Sequence, residues 1–144
     1  MSVESDASLD GESRILTPNR PLAHKYLEPI LFLAGQMSSA DGQVAAQERK
    51  VLDDLAQAAN MKHFRREKWY RDMSEEQALN RLDIDLAKTG ALVVMALVLK
   101  ADDLRHEDEL AYFSRIRQML DINAVYVPED VDTHKQLALR YFAK

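Results

Sequence analysis

Four acidic side chains occur in two similar settings along the chain, and they are the residues best suited to chemistry. Asp41 and Glu48 are seven positions apart, and Asp102 and Glu109 repeat that spacing 61 positions later. In each copy, Ala-Asp ends an apolar stretch and the glutamate falls in the first turn of the next amphipathic stretch. If the two copies pack about a pseudo-twofold axis, the four carboxylates converge, and a bound cation would relieve their mutual repulsion.

The available ligand types favour a hard divalent cation. The chain has no cysteine, which excludes thiolate zinc sites, iron–sulfur clusters and disulfides. Its histidines do not have the spacing of zinc ligands; they are His24, His63, His106 and His134. A site built from carboxylates alone suits Ca²⁺, Mg²⁺ or Mn²⁺ better than zinc. The predicted ligands of such an ion are the four acidic residues named above.

The spacing does not match the calcium loop of an EF-hand. If Glu48 is aligned with the last position of that loop, Met37 falls on the first ligand position and Ser39 on the third. Neither residue supplies the carboxylate that the loop needs there. The predicted cation site is therefore of another kind.

A purely structural role explains the same residues. Asp41 and Gly42 can form a turn in which the glycine supplies a positive φ after a helix. Glu48 and Glu109, near the starts of helices, interact favourably with the helix dipole in the absence of any metal. The residues alone leave both interpretations open.

The elements that position these side chains are helices. Apolar residues recur with a helical period from Pro21 onward, and they predict helices over about 27–37, 44–60, 62–72, 75–82, 85–101, 107–120 and 129–142. Residues 91–99 are apolar throughout, so helix 85–101 is expected at the centre of the fold. Ser74 and Gln77 have the spacing of a helix-capping box. No strand-like alternation of useful length is present.

These patterns predict a single all-α domain of about seven helices, in which two pseudo-symmetric helix hairpins surround a buried central helix. The domain is expected to span residues 21–144. Residues 1–20 are polar, lack an apolar period and are expected to form a flexible leader.

The first acidic copy, SADGQVAAQE at residues 39–48, resembles the hallmark of the tellurite-resistance TerB-like family. In that family an apolar helix precedes Ala-Asp-Gly, with an apolar residue two positions on and then a glutamate. The second copy departs from this pattern at Asp103, where glycine is usual, and at Arg105, where an apolar residue is usual. The resemblance covers residues 22–144. It implies an all-helical, non-catalytic module in bacterial stress response, with metal-binding acidic residues at these positions.

A second surface concentrates five basic residues among three aromatic ones, in the predicted helix 62–71. It suits a nucleic acid, whose phosphates the basic side chains would neutralise, or an acidic protein partner. Alternatively, it is a helix whose aromatic side chains face the core while its basic side chains are solvated. The net charge of −5 gives no general attraction to nucleic acid, so none is expected as a partner. The alternative to the cation-binding function is a metal-free protein-interaction domain that uses the acidic loops or helix 62–71.

Other function classes have little support. The longest apolar run, residues 91–99, is far shorter than the roughly 20 residues of a membrane span. The acidic, serine-rich N-terminus is unlike a signal peptide, so a cytoplasmic location is expected. Phosphate-binding glycine loops and nucleophile motifs are absent, so the protein is not expected to be an enzyme.

Overall fold

The computed structural model describes residues 7–9, 16–39, 46–61, 73–101, 107–122 and 128–143. These residues form one helical domain, with a short strand pair at its N-terminal side. The strands are β1 (Ala7–Leu9) and β2 (Leu16–Pro18). The helices are α1 (His24–Ser38), α2 (Ala46–Ala58), α3 (Glu75–Arg81), α4 (Asp85–Ala101), α5 (Glu107–Leu120) and α6 (Val131–Phe142). The predicted helix at 62–72 lies outside the described residues.

The predicted helix boundaries hold best where local signals are strongest. Helices α4 and α5 begin and end at the predicted residues. The capping box at the start of α3 is confirmed: the Ser74 hydroxyl accepts from the Gln77 backbone N–H (3.1 Å), and the Gln77 side chain accepts from the Ser74 N–H (2.9 Å). Helix α1 begins earlier than predicted, so Pro29 lies inside it. Pro29 cannot donate to the carbonyl of Lys25, four residues back, and that residue is exposed to water.

Helix α4 is the centre of the core, as its composition predicts. From Leu86 to Leu99 every residue except Lys88 and Ala96 is buried. The helix packs against α1, α2, α5 and α6, and most extensively against α1. Burial of each large aliphatic side chain contributes about 1.5–3 kcal/mol before entropy is counted. A helix that is apolar on all sides needs neighbours on all sides, and this one has them.

The two hairpins, α1–α2 and α4–α5, correspond residue by residue. Helix α4 begins 61 positions after α1, and α5 begins 61 positions after α2. The correspondence extends past the helix ends. Asn60 (φ 60°) and Asp121 (φ 57°), also 61 positions apart, are the non-glycine residues with positive φ among those described. Asparagine and aspartate tolerate this left-handed conformation, and each ends its helix with the same turn.

A third helix completes each half of the chain. Helix α3 packs on α1, and α6 packs in the same way on α4. Buried residues of the two helices match at an offset of 60: Ala78 with Ala138, and Leu82 with Phe142. The domain is therefore an internal duplication, with one half running from His24 to Leu82 and the other from Asp85 to Ala143.

Two ion pairs join the halves at equivalent places with opposite polarity. Asp54 on α2 pairs with Lys135 on α6 (2.8 Å). At the equivalent place Arg115 on α5 forms a two-pronged pair with Glu75 on α3 (2.6 and 2.7 Å). Asp54 corresponds to Arg115, and Lys135 corresponds to Glu75, so acid and base have exchanged positions between the halves. The hydrogen bond from the basic partner is the main cause that lowers the pKa of each carboxyl group.

The strand pair departs from the sequence-based expectation, which contained no strand. Strands β1 and β2 pair antiparallel, with Ser8 opposite Thr17. Each has three residues, too few for a period of two to be visible in the sequence. Strand β2 lies against α4 and α6, and the Arg140 guanidinium donates to the Pro18 carbonyl (3.1 Å). This part of the predicted leader therefore packs on the helical domain. The boundary at residue 20 stays a prediction.

Helices α4 and α6 approach closely at one point. Gly90 on α4 lies under the ring of Tyr141, and a Cβ atom at Gly90 would be 2.9 Å from Tyr141 Cδ1. Tyr141 is fully buried, and burial raises the pKa of its hydroxyl. Its carbonyl accepts a hydrogen bond from the Leu22 N–H (2.9 Å), which fixes the chain entering α1 to α6. The absence of a side chain at position 90 therefore allows α6 to lie close to α4.

Candidate metal site

Glu48 is the inward-facing residue in the first turn of α2. Its neighbours from Ala46 to Lys50 are exposed, whereas Glu48 is 1% exposed. It lies on the same face of the helix as Val51, Leu52 and Leu55, which are buried in the core. The helical period thus places a carboxylate in the first turn of α2, on the same buried face as these apolar residues.

Glu109 occupies the same position in the second half. Its neighbours from Glu107 to Ala111 are exposed, and Glu109 is 1% exposed. It continues the buried face that Ile116 and Leu120 form further along α5. Two carboxylates are therefore buried at equivalent positions, each at a helix start where the dipole favours negative charge.

The first half provides a hydroxyl donor for its carboxylate. Ser38, the buried last residue of α1, donates from Oγ to Glu48 Oε1 (2.8 Å). This hydrogen bond joins the end of α1 to the start of α2 across the acidic loop. The equivalent of Ser38 in the second half is Leu99, which has no hydroxyl. The surroundings of Glu48 and Glu109 therefore differ, although their positions match.

The energetics of burial limit what these carboxylates can do. A buried carboxylate is unfavourable unless hydrogen bonds or an opposite charge compensate for lost hydration. Ser38 supplies part of this compensation for Glu48. A divalent cation would supply much more, and it would use the same negative charge that makes burial costly.

The structure describes two of the four predicted ligands. Glu48 and Glu109 lie on α2 and α5, each of which packs against both α1 and α4. Asp41 and Asp102 lie outside the described residues, as do both acidic loops. Within the described ranges, no group of three or more His, Asp or Glu side chains is arranged to hold a metal ion.

Sequence analysis missed the burial of His134. Its Nε2–H donates to the Val93 carbonyl in the middle of α4 (2.9 Å), and its Nδ1 is buried without a hydrogen-bond partner among the described residues. Burial is the main cause that lowers the pKa of this imidazole to about 4, and the charge of Lys100 acts in the same direction. The ring is therefore neutral near pH 7. The helical period could have predicted this burial, because His134 lies one turn before Ala138 and two turns before Tyr141, on the buried face of α6.

A cavity lies at a different place. It measures about 1020 Å³ and is bordered by residues 19–22, the start of α1, the end of α2 and the end of α6. Neither Glu48 nor Glu109, the two predicted ligands that the structure describes, lines it. We call it the end cavity. Sequence analysis could not find it because its walls come from segments far apart along the chain.

Comparisons with known proteins give information on the fold alone. No family model matches the sequence, and no curated protein does. A crystal structure of a protein of unknown function from Porphyromonas gingivalis W83 is similar, with a TM-score of 0.58 at 18% identity. The match covers 88% of this chain and 99% of that one, so the similarity extends over nearly the whole of the other domain. No helix in the part of the chain that the structure describes is long and apolar enough to cross a membrane.

Proposed function

We propose that this protein is a non-catalytic, TerB-like helical module that binds a divalent cation in a bacterial stress response of the tellurite-resistance type. The ligands would be Asp41, Glu48, Asp102 and Glu109, with Ca²⁺, Mg²⁺ or Mn²⁺ as the ion. Its location would be the cytoplasm, and helix 62–72 would be the seventh helix of the fold.

One observation carries the proposal. Glu48 and Glu109 are both 1% exposed, and they occupy equivalent positions in the two halves of a duplicated fold. Retention of a costly buried carboxylate at both positions supports a shared task. Binding one cation between the hairpins is such a task, because the positive charge of the ion would offset the burial cost of both carboxylates.

A bound ion would also act mechanically. Helices α2 and α5 each lie across the central pair α1 and α4. An ion that joins the starts of α2 and α5 would connect the two halves and stiffen them against each other. Binding of the ion would then be detected as an increase in the stability of the protein and not as a catalytic activity.

The test is a thermal melt of EDTA-stripped protein with and without added Ca²⁺, Mg²⁺ or Mn²⁺. A ligand at about 100 times its dissociation constant adds about 2.7 kcal/mol. For a domain of this size that raises the melting temperature by roughly 5–10 °C. We expect Glu48→Gln and Glu109→Gln to fold but to lose this rise. The matched control, Glu107→Gln, changes an exposed residue of the same helix turn and should retain it.

Two results would contradict the proposal. One is a melting temperature that no cation changes in the wild-type protein. The other is a cation-induced rise that survives in both Glu48→Gln and Glu109→Gln.

The Ser38–Glu48 hydrogen bond supports a second candidate, a metal-free protein-interaction domain. It compensates for the burial of Glu48 without an ion. The contact surface would then be the acidic loops or the basic aromatic helix 62–71. A partner captured by the wild-type protein and lost in an Arg65→Ala, Arg66→Ala, Lys68→Ala variant, with no cation effect on melting, would favour this candidate.

A further inference from the structure

The end cavity has fixed walls. Its apolar floor is formed by Leu22, Leu27 and Phe142, all of them buried. Two hydrogen bonds tie its walls together: the Leu22 N–H donates to the Tyr141 carbonyl (2.9 Å), and His24 Nε2 donates to the Ala59 carbonyl (2.9 Å). The first bond joins the segment before α1 to α6, and the second joins α1 to the end of α2. A cavity with such walls is formed before any ligand arrives.

The charge of the end cavity is opposite to that of the whole protein. Arg20 is the charged residue among the described lining residues, and none of them is acidic. The chain as a whole has a net charge of −5. Helix α1 also starts here without a side-chain N-cap or an acidic residue in its first turn, which adds to the positive potential.

The duplication provides an internal comparison. The equivalent of His24 in the second half is Asp85, and the equivalent of Asn60 is Asp121. Both aspartates are exposed. The two halves share their helix order and the turn geometry at Asn60 and Asp121, so the turn itself does not require this difference in charge. At this place the first half has lost two negative charges relative to its counterpart.

We propose that the end cavity binds a small amphipathic carboxylate, a free molecule with one carboxylate group and an apolar body. The carboxylate lies at the rim near Arg20, and the apolar body lies against the half-buried residues Pro21, Ala58 and Ala143. The volume of about 1020 Å³ accommodates such a molecule, since small-molecule pockets measure about 300–1,000 Å³. An apolar floor with a basic rim matches both ends of this ligand. The site is separate from the proposed cation site and does not depend on it.

The experiment is a titration of the full-length protein, followed by amide chemical shifts and calorimetry. The probes are decanoate, decanol and decylammonium, which share a chain length and differ in head-group charge. We expect decanoate to bind most tightly and to shift the amides of residues 19–27, 58–60 and 142–143. Cation-stripped protein should bind it equally well, which separates this site from the proposed cation site.

Three variants locate the site. Arg20→Gln should weaken decanoate binding about tenfold, the size of one hydrogen bond to a charged group. Ala143→Trp places an indole in the cavity from its half-buried edge and should abolish binding while the melting temperature shows an intact fold. Arg81→Gln removes an exposed charge on α3, outside the cavity, and should bind as the wild type does.

The proposal is overturned if none of the three probes saturates the wild-type protein. It is also overturned if decylammonium binds more tightly than decanoate, or if Ala143→Trp binds decanoate as the wild type does.

Discussion

The contact between Gly90 and Tyr141 makes Gly90→Ala a sensitive test of how α6 packs. Alanine in place of glycine inside a helix is ordinarily favourable by about 1 kcal/mol. Here the new Cβ would be 2.9 Å from Tyr141 Cδ1 and 3.1 Å from Cε1. The ring is fully buried, and the Leu22 N–H holds its backbone carbonyl. The ring therefore has little freedom to retreat, and α6 must shift away from α4.

The magnitude follows from these opposing terms. Overpacking of a buried site costs about 1–3 kcal/mol, and the gain in helix propensity offsets about 1 kcal/mol of this. We expect Gly90→Ala to lower the free energy of unfolding by up to about 2 kcal/mol. Urea unfolding followed by circular dichroism measures it, with the slope of the transition expected to stay constant.

A double-mutant cycle with Tyr141→Leu isolates the clash. Tyr141→Leu alone should be destabilising, because it removes a buried ring. In that background Gly90→Ala no longer meets an aromatic ring and should become neutral or slightly stabilising. If Gly90→Ala costs the same in both backgrounds, or stabilises the wild-type protein, the close packing of α4 and α6 described above is wrong.

Three further perturbations test other contacts. His134 has a pKa of about 4 in the folded protein and near 6.5 when unfolded, so its contribution to stability is complete above pH 6.5 and is lost as the pH falls towards 4. After allowance for solvent screening we expect the free energy of unfolding to fall by about 2 kcal/mol over this pH range. The urea midpoint should therefore fall with pH in the wild-type protein and depend less on pH in His134→Gln. Ser38→Ala removes the hydroxyl donor of buried Glu48 and should cost about 1–3 kcal/mol by the same assay; an unchanged midpoint would show that the hydrogen bond contributes nothing. Asp54→Lys should cost about 1 kcal/mol or less because the pair with Lys135 is partly exposed. Lys135→Asp in the same chain should restore part of this stability, but not all of it, because Lys50 also pairs with Asp54 (3.0 Å); no restoration would show that the pair between α2 and α6 contributes nothing.

The parts of the fold that could be predicted are those with strong local signals. The bounds of α4 and α5 follow from a continuous apolar run and from acidic residues at helix starts, both of which act over a few residues. The capping box at Ser74 is equally local. The pairing of β1 with β2 could not be predicted, because three-residue strands carry no periodic pattern. The start of α1 was placed too late because Pro29 was expected in a first turn or at a kink.

The candidate site was predicted less completely. The sequence identified Glu48 and Glu109 by their spacing, but not that each is buried, because helix-start glutamates are ordinarily solvated. Burial depends on where α2 and α5 lie across α1 and α4. The hydrogen bond from Ser38 to Glu48 could not be predicted either, because it depends on how the end of α1 and the start of α2 meet in space. The walls of the end cavity depend on hydrogen bonds between residues far apart in the chain, from His24 to Ala59 and from Leu22 to Tyr141, which no local pattern encodes.

The opposite polarity of the two ion pairs that join the halves favours pairing of unlike halves over pairing of like halves. If the first half paired with another copy of itself, Asp54 would face Glu75; if the second half did so, Arg115 would face Lys135. In both arrangements like charges would face each other, whereas pairing of unlike halves brings an acidic residue to a basic one in both ion pairs. After a duplication, the two halves of such a chain would otherwise remain able to replace each other. The exchange of acid and base therefore disfavours association of neighbouring chains through like halves, by the small free energy that partly exposed ion pairs contribute.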